Sequence, residues 1–361
     1  MLYIVFAVFM AIYFVICFYV GYNGWVWLRE TFSFRYKKSY FAAIIAISLM
    51  IFLDRLISSK IVAFIGGSWL LIIGYSLILL PIANLLYYLF KNKGAKVLGG
   101  TVIVFFVFVF VFGSYNAWSP VIRTYDISLD KPAAQKELKI LMVSDLHLGK
   151  IVGEKHLKRL VDIVKERKPD IVLIPGDLID DYIEPYLTDN MGETMQKIRA
   201  PLGVYATSGN HDYYGNDLEI IFEEMEKAGL TMLDDETVQI LDSIYIVGRN
   251  DLTDNNRKSI EELVKNLDKD KPIIMLDHQP DQLSEANTNG VDVLLSGHTH
   301  GGQVAPANLI TGMIYENDWG YLKKGDLHSI VSSGFGLWGP PFRIGTRAEV
   351  VEIKIEFETQ E

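Results

Sequence analysis

Residues 138–150 read LKILMVSDLHLGK, a mostly apolar run that breaks into Asp145-Leu146-His147. Short apolar runs rich in β-branched residues suit a strand buried on both faces. Leu138–Val143 is therefore a strand candidate, and the Asp-x-His pair stands just past its end. The arrangement recurs downstream. Ile171–Ile174 leads into Gly176-Asp177-Leu178-Ile179-Asp180, and Gly203–Thr207 into Gly209-Asn210-His211-Asp212. Pro272–Leu276 leads to Asp277-His278, and Val291–Leu295 to Gly297-His298-Thr299-His300-Gly301-Gly302-Gln303. In open α/β sheets, ligands bind in the crevice beyond the strand ends. Five segments far apart in sequence are thus expected to converge on one place.

Helical stretches fall between these strands, which makes the class α/β. His156–Arg167 is amphipathic through Leu157, Leu160, Val161 and Val164, and Asn216–Ala228 and Lys258–Leu267 are further helix candidates. Ser243–Val247 is another strand. The tail segments Ser329–Ser332 and Glu349–Phe357 alternate like antiparallel edge strands.

Mixed carboxylate, imidazole and amide donors suit hard or borderline divalent cations. On an extended strand end Asp145 and His147 point the same way and can grip one ion. The same spacing in His298-Thr299-His300 lets two imidazoles reach adjacent ions. Either motif alone is weak; five clusters in this order, each at a strand end, are a strong signal. Five of the seven histidines lie in the clusters, and the other two, His156 and His328, read as surface residues.

Toward the N-terminus the composition changes. Residues 1–118 hold nine Lys/Arg and two acids, a net of +7, while the remainder holds 25 basic and 42 acidic residues, a net of −17. A bilayer span needs roughly 20 apolar residues. Leu2–Tyr22, Ile61–Phe90 and Val97–Trp118 satisfy this, with Pro81 expected to kink or end the second of them. Phe41–Leu53 spans if it continues to Ile57 past Asp54-Arg55. No basic segment precedes the first run and no cleavage site follows it, so it reads as an anchor rather than a signal peptide. With four spans, the loops after the first and third carry seven basic residues against two in the loop between them. The positive-inside rule then puts the C-terminal domain outside the cytoplasm, and three spans would reverse that. Residues 119–137 read as a tether. The single cysteine, Cys17, rules out an intramolecular disulfide.

The clusters resemble the calcineurin-like metallophosphoesterase superfamily, and the resemblance covers roughly residues 138–355. Asp145-x-His147, Gly176-Asp177-x-x-Asp180, Gly209-Asn210-His211-Asp212, His278 and Gly297-His298-x-His300 follow its motif series without a departure. The stretch Gly297–Gln303, with Gly334-Phe335-Gly336 and Pro341-Phe342-Arg343, looks like the family's small bacterial membrane-associated branch. The whole arrangement also resembles transmembrane proteins with a metallophosphoesterase domain. The resemblance implies a two-sheet αββα sandwich over residues 138–361, preceded by about four transmembrane helices in residues 1–118. It implies two divalent metal ions, Mn first among Mn, Fe, Zn and Mg. One would be held by Asp145, His147, Asp177 and His300. The other would be held by Asp177, Asn210, His278 and His298, with Asp177 bridging. A metal-bridging hydroxide would attack phosphorus in line, and His211 would protonate the leaving group with Asp180 holding its ring. Arg343 is a candidate for binding substrate phosphate or for pairing with nearby acids.

The implied function is hydrolysis of phosphate esters at the surface of a cell membrane, on a phosphorylated small molecule or a lipid-linked substrate. Two alternatives stand beside it: a non-catalytic ligand-binding or sensor domain on the same fold, and a nuclease. A domain at net −17 repels polyanions, which counts against nucleic acid.

Overall fold

The computed structural model describes residues 2–57 and 59–358. The chain divides into two compact units, residues 1–114 with Gly339–Pro341, and residues 115–338 with 342–361.

The first unit is helical: α1 (Leu2–Phe32), α2 (Lys37–Leu53), α3 (Lys60–Leu89) and α4 (Ala95–Trp118), whose last turn belongs to the second unit. Among the described residues three helices, α1, α3 and α4, are long and apolar enough to cross a membrane. α3 runs through Pro81 to Leu89, so the proline does not end it. α2 stops at Leu53, where the apolar run gives way to Asp54-Arg55, and a turn follows in place of the expected extension to Ile57. Its 17 residues reach only ~26 Å at 1.5 Å per residue, short of a ~30 Å hydrocarbon core. α2 nonetheless lies along α1, antiparallel to it. Phe52 meets Tyr13 at one end with ring centroids 5.5 Å apart, and Tyr40 meets Trp25 at the other at 6.0 Å. Tyr13 and Tyr40 also donate hydrogen bonds to the carbonyls of Ser48 and Gly21, at 2.6 and 2.9 Å.

The second unit contains strands β1 (Val121–Pro132), β2 (Glu137–Met142), β3 (Ile171–Pro175), β4 (Val204–Thr207), β5 (Thr231–Met232) and β6 (Glu236–Ile240). β7 (Ile244–Arg249), β8 (Ile273–Asp277), β9 (Val293–Ser296), β10 (Gly320–Lys324), β11 (Leu327–Val331) and β12 (Glu349–Glu358) complete the set. They form two six-stranded sheets, in the orders β1-β12-β2-β3-β4-β5 and β10-β11-β9-β8-β7-β6. The alternation of side chains along β2 explains its apolar run. Ile140 and Met142 enter the core between the sheets, with Leu173, Ile274, Leu276 and Leu295. Leu141 and Val143 face the other way, onto Leu157, Leu160, Val161 and Val164 of helix α5 (Glu154–Arg167). The outer face of the second sheet packs Val247, Met275 and Leu294 under the short helices Ile260–Val264 and Leu283–Thr288. The architecture is the expected two-sheet sandwich with helices on both outer faces.

Several local readings need correction. The segment expected to be a tether, 119–137, contains β1, which pairs in parallel with β12 from Val121↔Glu349 to Leu129↔Phe357. It escaped notice because only Ile127 and Leu129 of this edge strand are buried. The tail strands are not edges: β12 lies between β1 and β2, and β11 between β10 and β9. Nor is His156 a surface residue. It is buried between the rings of Trp118 and Phe335, and one ring nitrogen lies 3.0 Å from the Phe335 carbonyl. His328 is likewise buried, in β11, 2.9 Å from the Tyr321 hydroxyl.

Candidate metal centre

Three strands of the first sheet and two of the second deliver the polar clusters. β2 leads to Asp145 and His147, β3 to Asp177, β4 to Asn210, β8 to His278, and β9 to His298 and His300. Asp145 and His147 do not share a face of an extended strand end as expected, because neither backbone is extended. Asp145, His147, Asp177, His298 and His300 have φ of 52°, 44°, 53°, 70° and 51°. Left-handed backbone at non-glycine residues is sparse and concentrates at functional sites. Here it turns the five side chains inward from loops that have just left their strands.

Six of the seven expected ligands are buried, His298 is partly so, and all seven meet in two adjoining groups. In the first, the Nε2 atoms of His147 and His300 lie 3.0 Å apart. Asp145 Oδ1 is 3.4 Å from His300 Nε2, and Asp177 Oδ2 is 3.5 Å from His147 Nε2. In the second, Asp177 Oδ2 is 3.1 Å from His278 Nε2, and His298 Nδ1 is 2.8 Å from Asn210 Oδ1. Asp177 thus turns one oxygen toward both groups, while its other oxygen accepts the His211 backbone N–H at 2.9 Å.

The donor set fits divalent cations. Asp145 Oδ2 and His278 Nε2 are buried without a hydrogen-bond partner, a costly condition for such groups unless a cation satisfies them. His278 Nδ1 donates to the Pro175 carbonyl at 2.8 Å, which leaves Nε2 as the ring nitrogen turned toward Asp177. Asn210 Nδ2 donates to the Tyr214 hydroxyl at 2.9 Å, which aims the amide oxygen at His298. Gly297 has to be glycine, since a Cβ there would overlap Asp145 Oδ2. Burial pushes the His298 imidazolium down to about 4 and that of His300 well below its ordinary value, so both rings are neutral and able to ligate. His278 is the exception. Burial opposes its charge, yet the adjacent Asp177 carboxylate raises its pKa well above the usual range, as expected where one anion faces one imidazole.

His211 lies beside this group, its ring centroid 4.7 Å from that of His147. Its Nδ1 is 2.6 Å from Asp181 Oδ1 but 4.0 Å from Asp180 Oδ1. The expected pairing with Asp180 is therefore replaced by one with Asp181, and Asp180 instead sits 3.7 Å from His147 Nδ1. Burial disfavours the His211 cation. The Asp181 hydrogen bond and the charges of Asp177, Asp180 and Asp181 outweigh it and lift the pKa to about 9.

Arg343 is held on backbone carbonyls. It is fully buried, and its Nη2 donates to the carbonyls of Gly334 and Gly336 at 3.0 and 2.8 Å, lying 3.1 Å from His300 Nδ1. The Gly334–Gly336 loop in turn donates from Phe335 to the Ser144 carbonyl and from Gly336 to the Asp145 carbonyl. Arg343 thus braces the loop behind two ligands. Asp212, quoted in its motif but given no role, is a similar brace: its carboxylate accepts backbone N–H groups from Leu178, Ile179 and Gly209. Asp277 is tied to Arg249 and Arg257 at 3.0 and 3.4 Å, which steadies the end of β8 next to His278.

The calcineurin-like phosphoesterase family matches residues 138–302. An uncharacterized metallophosphoesterase of Helicobacter pylori is 33% identical over 242 residues, covering 65% of this chain and 64% of its own length. A zebrafish (Danio rerio) transmembrane protein with metallophosphoesterase domain is 31% identical over 264 residues, covering 68% of this chain and 60% of its own length. The match therefore spans a little under two thirds of both relatives. An uncharacterized metallophosphoesterase of Aquifex aeolicus is 34% identical over 244 residues, covering 65% of this chain and 91% of its own length. A likeness at that identity along nearly all of a relative is one of common descent, and the chain belongs to the calcineurin-like phosphoesterase family.

Proposed function

We propose that the chain hydrolyses phosphate esters at a membrane surface with two divalent cations, manganese the first candidate. The observation that carries this reading is the convergence of six buried donors and the partly buried His298, two of the buried ones with atoms that have no hydrogen-bond partner. Asp145, His147, Asp177 and His300 would hold one ion, and Asp177, Asn210, His278 and His298 the other. Ions held there would neutralise charge on phosphoryl oxygens and lower the pKa of water. The chain's own contribution to the chemistry is His211. With Nδ1 committed to Asp181, Nε2 is the nitrogen that hands a proton to the departing alkoxide. The half-exposed rings of Trp338 and Tyr214, centred 6.0 and 5.0 Å from that of His211, border the side on which the leaving group would sit.

The reading is tested with the full chain in detergent, assayed on a chromogenic phosphodiester after chelation and then with added Mn²⁺. Turnover that depends on the metal is expected. Metal binding without turnover of any ester would favour the ligand-binding alternative, and competition by DNA or RNA would favour a nuclease.

The side of the membrane rests on α2. Its alignment along α1 supports a short fourth span, accommodated by local thinning and by snorkelling of Arg55. The catalytic domain then faces away from the cytoplasm, and the substrate is a phosphorylated small molecule or a lipid-linked phosphoester on that side.

A further inference from the structure

The helix Asn308–Ile314 is built inside out. Its sequence, NLITGMI, carries no charge, and none of its residues is buried. Leu309, Ile310, Met313 and Ile314 are 64%, 56%, 78% and 66% exposed. Among the described residues beyond Val121, no other large apolar side chain exceeds 53%. At 100° per residue these four positions cover one continuous face. The polar Thr311 points the other way, and its hydroxyl donates to Asp318 Oδ2 at 2.8 Å. Scattered apolar side chains on a surface need no explanation, but a contiguous stripe marks a contact with something apolar.

Two sets of contacts locate the stripe. The first ties it to the metal centre: Thr299 donates to the Asp318 carbonyl at 2.5 Å, and the ring of Tyr315 is 6.0 Å from that of His298. A Cβ on Gly302 would overlap the Asn308 backbone, so the helix starts flush against the ligand loop. The second ties it to the start of β1. The Arg123 guanidinium lies 4.6 Å over the Trp319 ring, and Tyr321 stacks on Tyr125 at 6.0 Å. Arg123 follows the end of α4, at Trp118, by five residues, a reach of at most ~18 Å along the chain. The apolar helix is therefore held at the same end of its domain as the start of β1, within five residues of chain of the end of α4.

We propose that Asn308–Ile314 seats its Leu309, Ile310, Met313 and Ile314 face in the interfacial layer of the bilayer and holds the mouth of the metal centre against it. The partner is the lipid surface rather than anionic headgroups in particular, because the helix is uncharged and its domain is strongly acidic. This goes beyond the proposed reaction and is independent of whether the centre turns over any substrate.

The test uses the full chain in single-copy nanodiscs of uncharged phosphatidylcholine. Cys17→Ala removes the only cysteine, and Met313→Cys or Leu309→Cys then takes an environment-sensitive fluorophore. Lys265→Cys, on an exposed stretch, serves as the reference. Emission from positions 313 and 309 is expected to shift to the blue and to be quenched severalfold more than position 265 by lipids spin-labelled near the headgroup. Quenching at 313 and 309 no greater than at 265 would overturn the proposal. So would a blue shift that spin-labelled lipid leaves unquenched and that appears only when two copies share a disc, since a second copy would then be the occupant.

Discussion

Asp177 is the residue on which both halves of the centre depend, since a single oxygen of its carboxylate faces His147 and His278. Asp177→Asn keeps the side-chain shape and the tolerance of left-handed backbone, so any loss reports the missing charge. Activity should vanish and metal content fall; elemental analysis showing full occupancy would refute the ligand scheme. His211 lends itself to a separate experiment. His211→Asn should retain both metals and lose roughly 10²–10⁴-fold in kcat for an alkoxide leaving group, the usual worth of a positioned acid. The loss should be much smaller for nitrophenolate, which needs no proton. Asp181→Asn should give a milder copy of that leaving-group dependence, and Asp180→Asn should not. The motif made Asp180 the natural partner because sequence cannot tell which of two adjacent acids turns inward. Asp181 sits at a φ of 61°, and that left-handed step swings its carboxylate onto His211. The candidate ligands that meet here were legible because metal chemistry demands their residue types, whereas the partner of His211 depended on one backbone torsion.

Strands and helices were legible where both faces are apolar. β2, β3, β8 and β9 are buried throughout or nearly so and could be read directly, while β10 alternates between half-buried and exposed residues and β1 buries only Ile127 and Leu129, so both resemble loops. His156 had a signal that went unused: it lies four residues before Leu160 and eight before Val164, on the apolar face of α5. Its burial sets up a pH test. Desolvation holds its folded pKa down at about 4, against about 6.5 in an unfolded chain. The stability this protects is fully present above pH ~6.5 and is lost as the pH falls toward 4, on the order of 3 kcal/mol in all. Thermal denaturation of the catalytic domain should therefore steepen in its pH dependence across that window, and His156→Phe should flatten it. The loop Gly334–Gly336 offers a second test. Arg343→Met strands the buried Gly336 carbonyl at about 1–3 kcal/mol, and takes one of two donors from that of Gly334, which keeps the Glu349 N–H at 3.1 Å. The variant should melt earlier and release metal from the Asp145–His300 side more readily, as titration with a chelator would reveal. Gly334→Ala should resemble it, because φ there is 86° and a Cβ would stand 2.8 Å from that of Asp145.

At the scale of the molecule, the change in composition near residue 118 made a membrane part and an acidic catalytic part visible at once. The number of spans was harder to read, since α2 has the composition of a span and almost the length. Protease added to intact cells should remove an epitope at the C-terminus if α2 crosses the bilayer; cleavage only after lysis would mean that it does not. The position of β12 bears on how such a chain can be made. The first sheet holds β1 in place by pairing it with β12, and more than two hundred residues separate the two strands. β1 follows directly on α4, so it emerges as soon as the last helix is inserted and then waits. At ~5–20 residues per second the delay is roughly 10–40 s. During it both sides of β1 and one side of β2 remain open edges, able to pair with any extended chain nearby. Biogenesis of this protein should accordingly be vulnerable in a way its finished structure is not. A nonsense codon after β1 and before residue 349 would leave nascent chains that are inserted in the membrane yet permanently adhesive, a burden for quality-control proteases rather than a harmless loss of activity.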